Sequence, residues 1–168
     1  MTAEEPQTTD NIRIAVFDAA DAPTPAAAAE ATPKQVIETH NTTRDRYHEE
    51  VIGALAGDTP DLTIDSLALG GSTADTANIP AGDPLGNETF RTGVTDVFTN
   101  AQTVTIATFI DSTQGVGETF EEAALVSEQS TNDLPINRFL INDPGGLLSP
   151  KTNNETVTID ITITQEDA

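Results

Sequence analysis

The chain has 168 residues, with 28 acidic and 7 basic side chains, a formal net charge of −21 and no cysteine. Disulfides and zinc–thiolate sites are thereby excluded, and so is direct nucleic-acid binding, because phosphate contacts need clustered Lys and Arg. The length suits one domain, or one domain plus an arm, burying roughly 70% of the surface its unfolded chain would expose.

The opening MTAEEPQTTD is acidic and polar, unlike the basic and then apolar start of a signal peptide, and no apolar run approaches the ~20 residues of a bilayer span. A soluble protein without a cleaved signal is expected. Repulsion among so many acids strains a compact state in dilute salt, whereas at molar salt the screening length falls to about 3 Å. The composition therefore points to a high-salt environment. The acids are scattered among Thr, Ala and strand formers, so acidic disorder is expected at the termini only.

In chain order, NIRIAVF at 11–17 alternates Ile12, Ile14 and Val16 with Arg13 and Ala15, the pattern of a short strand. DAADAPTPAAAAEATPK follows, with Pro23, Pro25 and Pro33, which oppose a continuous helix or a central strand and mark a linker. Residues 1–34 are accordingly expected to form an arm whose strand pairs with an edge in the same subunit or a neighbour. That makes Ile12, Ile14 and Val16 candidate interface residues, with residues 35–168 as the body.

Thr42 and Asp45 resemble a capping box, and Gly57, Asp58 and Pro60 form a stop signal, so a helix is expected over 43–56. Tyr47, Val51, Ile52 and Leu55 share one side of it and are expected to pack on a sheet, with Arg44, Asp45, Glu49 and Glu50 mostly facing water. Strands are expected at 62–69, 87–98, 102–110, 118–127, 135–141 and 155–165, separated by turns such as GGSTAD, DSTQGVG and NDPGG. The last is the clearest: Val157, Ile159, Ile161 and Ile163 alternate with Thr158, Asp160, Thr162 and Thr164. The fold class is all-β, an antiparallel β-sandwich with one N-terminal helix packed on it and an extended N-terminal arm.

Chemistry-bearing constellations are sparse. His40 and His48 lie eight apart, and HEE at 48–50 lacks the second His of a helical zinc site. Asp58, Asp61 and Asp65 do not follow EF-hand spacing and read as aspartates capping their own turns. GGS at 70–72 and GVG at 115–117 read as turns rather than as a nucleophile elbow or a phosphate loop. No catalytic, cofactor or metal site is assigned, and no enzyme is expected. In NETFR, Glu88 and Arg91 are close in a chain with few cations. The first reading is a surface ion pair of small net value; the second is a subunit contact made by a scarce planar guanidinium.

Five patterns recur in order: a helix ending in Gly57; Ala68-Leu69-Gly70-Gly71 at a strand end; Leu85-Gly86-Asn87-Glu88-Thr89-Phe90-Arg91; Glu122-Ala123-Ala124-Leu125-Val126; and Lys151-Thr152 ahead of the alternating final strand. Together, over about 40–168, they resemble the tail-collar fibre domain and related small virion proteins of tailed phages. Ala124 stands where the family has Gly, and with the alternating strand running nearly to Ala168 a long fibre shaft is not expected. With the salt-adapted composition, the resemblance implies a virion structural protein of a tailed virus of a halophilic archaeon. It would self-associate as a homo-oligomer, dock to other virion proteins and assemble in the host cytoplasm, with the host surface as a further contact. It implies no cofactor and no nucleic-acid or membrane partner. A carbohydrate-binding or cell-surface sandwich module is the alternative, disfavoured because the chain has no Trp and a single Tyr, Tyr47. A small halophilic enzyme is disfavoured for want of a nucleophile–base pair.

Overall fold

The computed structural model describes residues 8–43, 45–58, 60–80, 82–129 and 132–165. In chain order they form β1 (Thr8–Asp18), α1 (Pro25–Glu30), β2 (Gln35–Thr39), β3 (Thr42–Thr43), α2 (Asp45–Ala56) and β4 (Ser66–Gly70), then a 3-10 turn at Thr76–Asn78. There follow β5 (Glu88–Gly93), β6 (Asp96–Asn100), β7 (Thr103–Ile110), β8 (Glu122–Ser127), β9 (Leu134–Pro135), β10 (Asn137–Leu140) and β11 (Glu155–Gln165). A five-stranded sheet has the order β2-β1-β11-β7-β6, and a six-stranded sheet the order β3-β10-β8-β4-β5 with β9 beside β8. Every pairing is antiparallel. This is the all-β sandwich expected.

The alternation in the final strand sets the core. Ile161, Ile159 and Val157 of β11 lie opposite Ile12, Ile14 and Val16 of β1 on one side, while Ile161 and Val157 face Ile106 and Ile110 of β7 on the other. These side chains meet Leu67, Leu69, Leu125 and Phe139 of the second sheet in one buried cluster. Each such side chain, fully buried, contributes about 1.5–3 kcal/mol.

The N-terminal region differs from the expected arm. β1 pairs with β11 over its full length and with β2 on its other edge, and Ile12, Ile14 and Val16 are buried in this chain's own core. They do not face a neighbouring subunit, and the boundary at residue 34 separates no arm from a body. Alternation identifies a half-buried strand but carries no information about its partner. The proline-rich stretch is a long connection between the adjacent antiparallel strands β1 and β2, packed on the outer face of the five-stranded sheet. Thr24 caps α1 by accepting the Ala27 N–H at 3.2 Å, and Pro25 sits at the start of the helix, where its missing N–H and fixed φ suit the first turn. Ala28 packs with Ala15, Phe17 and Ala22.

α2 ends at Gly57, whose φ of +107° makes glycine the natural stop. The Thr42–Asp45 pair lies outside the described side chains. Only Tyr47 of the expected packing face reaches the core; Ile52 and Leu55 are 65% and 81% exposed. α2 leans on the sandwich near β9 rather than lying along a sheet. The segment 87–98 is also two strands, because the chain leaves one sheet at Val94 and Thr95 and joins the other. None of the helices among the described residues is long and apolar enough to cross a membrane.

Candidate functional site

The outer face of the six-stranded sheet carries a buried polar centre. Glu122 of β8 and Arg138 of β10 have side-chain exposures of 0%. Glu122 Oε2 accepts from Arg138 Nε at 2.8 Å and from the Gly86 N–H at 3.0 Å, with Arg138 Nη2 also at 2.8 Å. Its other oxygen accepts the Asn87 N–H at 2.8 Å and the Ser72 N–H at 3.3 Å. Arg138 donates onward from Nη1 to Thr76 Oγ1 and from Nη2 to the Ala74 carbonyl, both at 2.8 Å. One ion pair therefore holds both ends of the 71–87 connection against the sheet. Leu85 seals the spot by packing on Ala68, Ala124 and Val126.

The approach is close enough to require glycine. A Cβ on Gly70 would lie 2.2 Å from the Asn87 carbonyl oxygen, and one on Gly86 would lie 2.6 Å from Ser72 Oγ. Ala124, where the resemblance calls for Gly, is accommodated: it lies opposite Ala68 in the ladder and is fully buried.

A second, open centre surrounds Arg91. Its Nε and Nη2 donate to Glu88 Oε1 and Oε2 at 2.7 and 2.8 Å, and Nη1 donates to Asp133 Oδ2 at 2.6 Å. Glu128 stands 3.6 Å from Nη1. Hydrogen bonding of the guanidinium to the Glu88 carboxylate, which accepts, is the main cause holding Arg91 above its ordinary pKa; partial burial opposes it and Asp133 adds to it. Arg46 reaches the same corner and donates to the Asp133 carbonyl at 2.9 Å. The ion pair read from the sequence is present, and it is bidentate within the chain.

Lys151 is a third fixed point. It is buried, its ammonium donates to the carbonyls of Asp111 at 3.0 Å and Thr152 at 3.2 Å, and burial pulls its pKa down against the pull of Glu155 and Asp111. Its backbone pairs with Gly117 and Glu118, and Thr152 Oγ1 donates to Glu155 at the start of β11. The 111–118 loop is thereby tied to the last strand.

Two further places hold polar groups or space. At one end of the core Asp10 is buried, receives a hydrogen bond from Asn41 Nδ2 and leaves Oδ1 unpaired. Burial pushes its pKa up, opposed by the amides of Asn41 and Asn137. Tyr47 is pushed up by burial and then by the Asp10 charge. On the outer face of the five-stranded sheet, a groove of about 380 Å³ runs between α1 and β6, walled by Phe17, Pro33, Phe98 and Phe109 with Arg13 and Asp160 on its floor. Burial raises the Asp160 pKa and the Arg13 charge opposes it. Among the described residues no three His, Asp or Glu side chains are grouped to hold a metal ion. Asp61 caps its own turn at the Thr63 N–H, 2.9 Å away, whereas Asp65 reaches across to the Glu128 N–H at 2.8 Å.

Of the five residues singled out in the sequence, Glu88 and Arg91 come together at the surface, while Ile12, Ile14 and Val16 are remote from them in the core. The five patterns include Glu122 without giving it a role, and Arg138 is in none of them. The available signal was a charge embedded in an apolar strand, in EEAALV and in INRFL, in a chain holding few cations. Comparison with family models, with curated proteins and with solved structures gives no match.

Proposed function

We propose that this chain is a structural component of a tailed-virus particle, of the tail, baseplate, collar-adaptor or capsid-surface turret kind. It works by symmetric self-association and by docking to other virion proteins in a high-salt host. The observation that carries the reading is where the patterned residues meet. The Gly86 and Asn87 N–H groups donate to the Glu122 carboxylate, Gly70 lies against that carboxylate and the Asn87 carbonyl, and the Gly71 N–H donates to the same carbonyl, so three patterns separate in sequence share one place, and Lys151 and Thr152 secure a second loop. Patterns that converge on shared contacts support a common fold rather than a chance sequence of weak motifs. Their polar groups are engaged by the chain's own backbone, which suits a rigid building block whose outward surface does the work.

The groove beside α1 favours a second reading, a ligand-binding or carbohydrate-binding sandwich module, since aromatic walls around a polar floor suit a small ligand. Native mass measurement in molar salt separates the two. A closed ring or other symmetric oligomer supports the virion reading; a monomer stabilised by added oligosaccharide supports the module and overturns the first. The high-salt component is tested by thermal melts across a salt series. The melting temperature is expected to fall steadily from molar to tens of millimolar salt as screening is lost, and an unchanged value would remove it.

A further inference from the structure

The sheet edges differ in how they are defended. β2 is flanked by the 140–146 segment, through Gln35 Nε2 to Asp143 Oδ1 at 2.9 Å and Thr39 Oγ1 to the Leu140 carbonyl at 3.3 Å. β5 carries the Glu88–Arg91 pair, and β3 is two residues long. Charge, brevity and cover are the usual protections of an edge. β6 has little of them: all five of its residues are exposed, and Val97 and Phe98 are among the most exposed large apolar side chains. Asp96 is the sole charged residue between Arg91 and Asp111 in a chain of net charge −21. A second copy of so acidic a chain can approach closely only where the charge is thinnest.

The backbone register of β6 is self-complementary. The two-residue turn at 101–102 makes Asn100 and Thr103 a hydrogen-bonded pair, so Asp96, Phe98 and Asn100 turn their backbone groups to β7. Val97 and Thr99 then turn theirs to the open edge. The Val97 N–H bears this out, since it is held by the adjacent Asp96 Oδ1 at 2.8 Å rather than by a strand.

We propose that β6 pairs antiparallel with β6 of a second copy about a two-fold axis at Phe98, joining two five-stranded sheets edge to edge. In this register Val97 exchanges both backbone hydrogen bonds with Thr99 of the second copy, and symmetry repeats the exchange. Phe98 faces Phe98 in the close, non-hydrogen-bonded position. Asp96 faces Asn100, so no like charges are opposed. Asp96 must release the Val97 N–H for this to happen, and the pairing of two strongly acidic copies is promoted by salt. The inference rests on the self-association proposed above and supplies its seam.

The test is sedimentation of the full chain in molar potassium chloride. Thr99→Pro removes an outward N–H and leaves the β6–β7 ladder intact, and it should weaken association about tenfold or more, two hydrogen bonds being lost per dimer. Asn100→Asp sets a carboxylate against Asp96 of the second copy and should weaken it several-fold; adding Asp96→Asn should restore it, which only the register centred on Phe98 provides. If the unaltered chain assembles and Thr99→Pro assembles equally well, the seam is wrong while self-association stands. If Asn100→Asp is not rescued, the register is wrong. If the unaltered chain is monomeric at every concentration, both the seam and the self-association reading fall.

Discussion

Arg138 and Arg91 each engage a glutamate through Nε and Nη2 at hydrogen-bond distance, and both lie on the six-stranded sheet. Their surroundings separate them. Arg138 and Glu122 are sealed from water, and three backbone N–H groups of the 71–87 connection depend on the same carboxylate. Arg91 is a quarter exposed and is shared among three acids that water also solvates. A buried pair gains little over an apolar replacement, yet losing one partner leaves an uncompensated charge. An open pair changes little either way. Distance alone would rank the two equal.

The strongest way to break this contrast is Arg138→Met. With Glu122 left buried and unpaired, unfolding free energy should drop by about 3–5 kcal/mol, read from guanidinium midpoints, and a loss below about 1 kcal/mol would abolish the distinction. Gly70→Ala comes next. Its Cβ would collide with the Asn87 carbonyl oxygen, so the 71–87 connection must lift from Glu122, at about 1–3 kcal/mol; a neutral result would show that the connection is not tightly seated. Arg91→Ala should cost within about 1 kcal/mol, and less in molar than in dilute salt. A larger loss in molar salt would mean that this corner is effectively buried.

Asp10 sharpens the comparison from a third direction, as a buried carboxylate that accepts a hydrogen bond from the Asn41 amide and has no cation paired with it among the described residues. Its folded pKa is raised by burial, so its favourable contribution is complete below the unfolded Asp range and is lost as pH rises through the folded value. Asp160 shifts in the same direction, though Arg13 opposes it. Asp10→Asn should therefore leave acid stability unchanged and modestly raise the melting temperature at neutral pH. A variant that melts lower than the parent at pH 7 would show that the ionised carboxylate is needed.

Local pattern identified what local forces decide. β11 runs from Glu155 to Gln165 where its alternation places it, β7 ends at Ile110 as expected, and Gly57 stops α2. Partner choice was not legible: nothing in NIRIAVF says that its neighbours are residues 35–39 and 155–165. Periodicity also misled in α2, because Ile52 and Leu55 share a face that no sheet covers. The Glu122 centre draws on positions 72, 74, 76, 86, 87 and 138, a set that only the three-dimensional path of the chain assembles. The resemblance did mark four of its contributors, Gly70, Gly86, Asn87 and Glu122, without saying that they touch.

The pairing of β1 with β11 imposes an order of events during synthesis. Ile14 leaves the ribosome well over a hundred residues before its partner Ile159, an interval of roughly seven to thirty seconds at ~5–20 residues per second. Through that time β1 can lean on β2 alone, a two-stranded ribbon that is marginal in water. The five-stranded sheet can close only when β11 arrives between β1 and β7, so its formation is a late, long-range step. The six-stranded sheet, whose strands all lie between residues 42 and 140, is free to gather first and to present its inner face as the surface on which the rest of the chain settles.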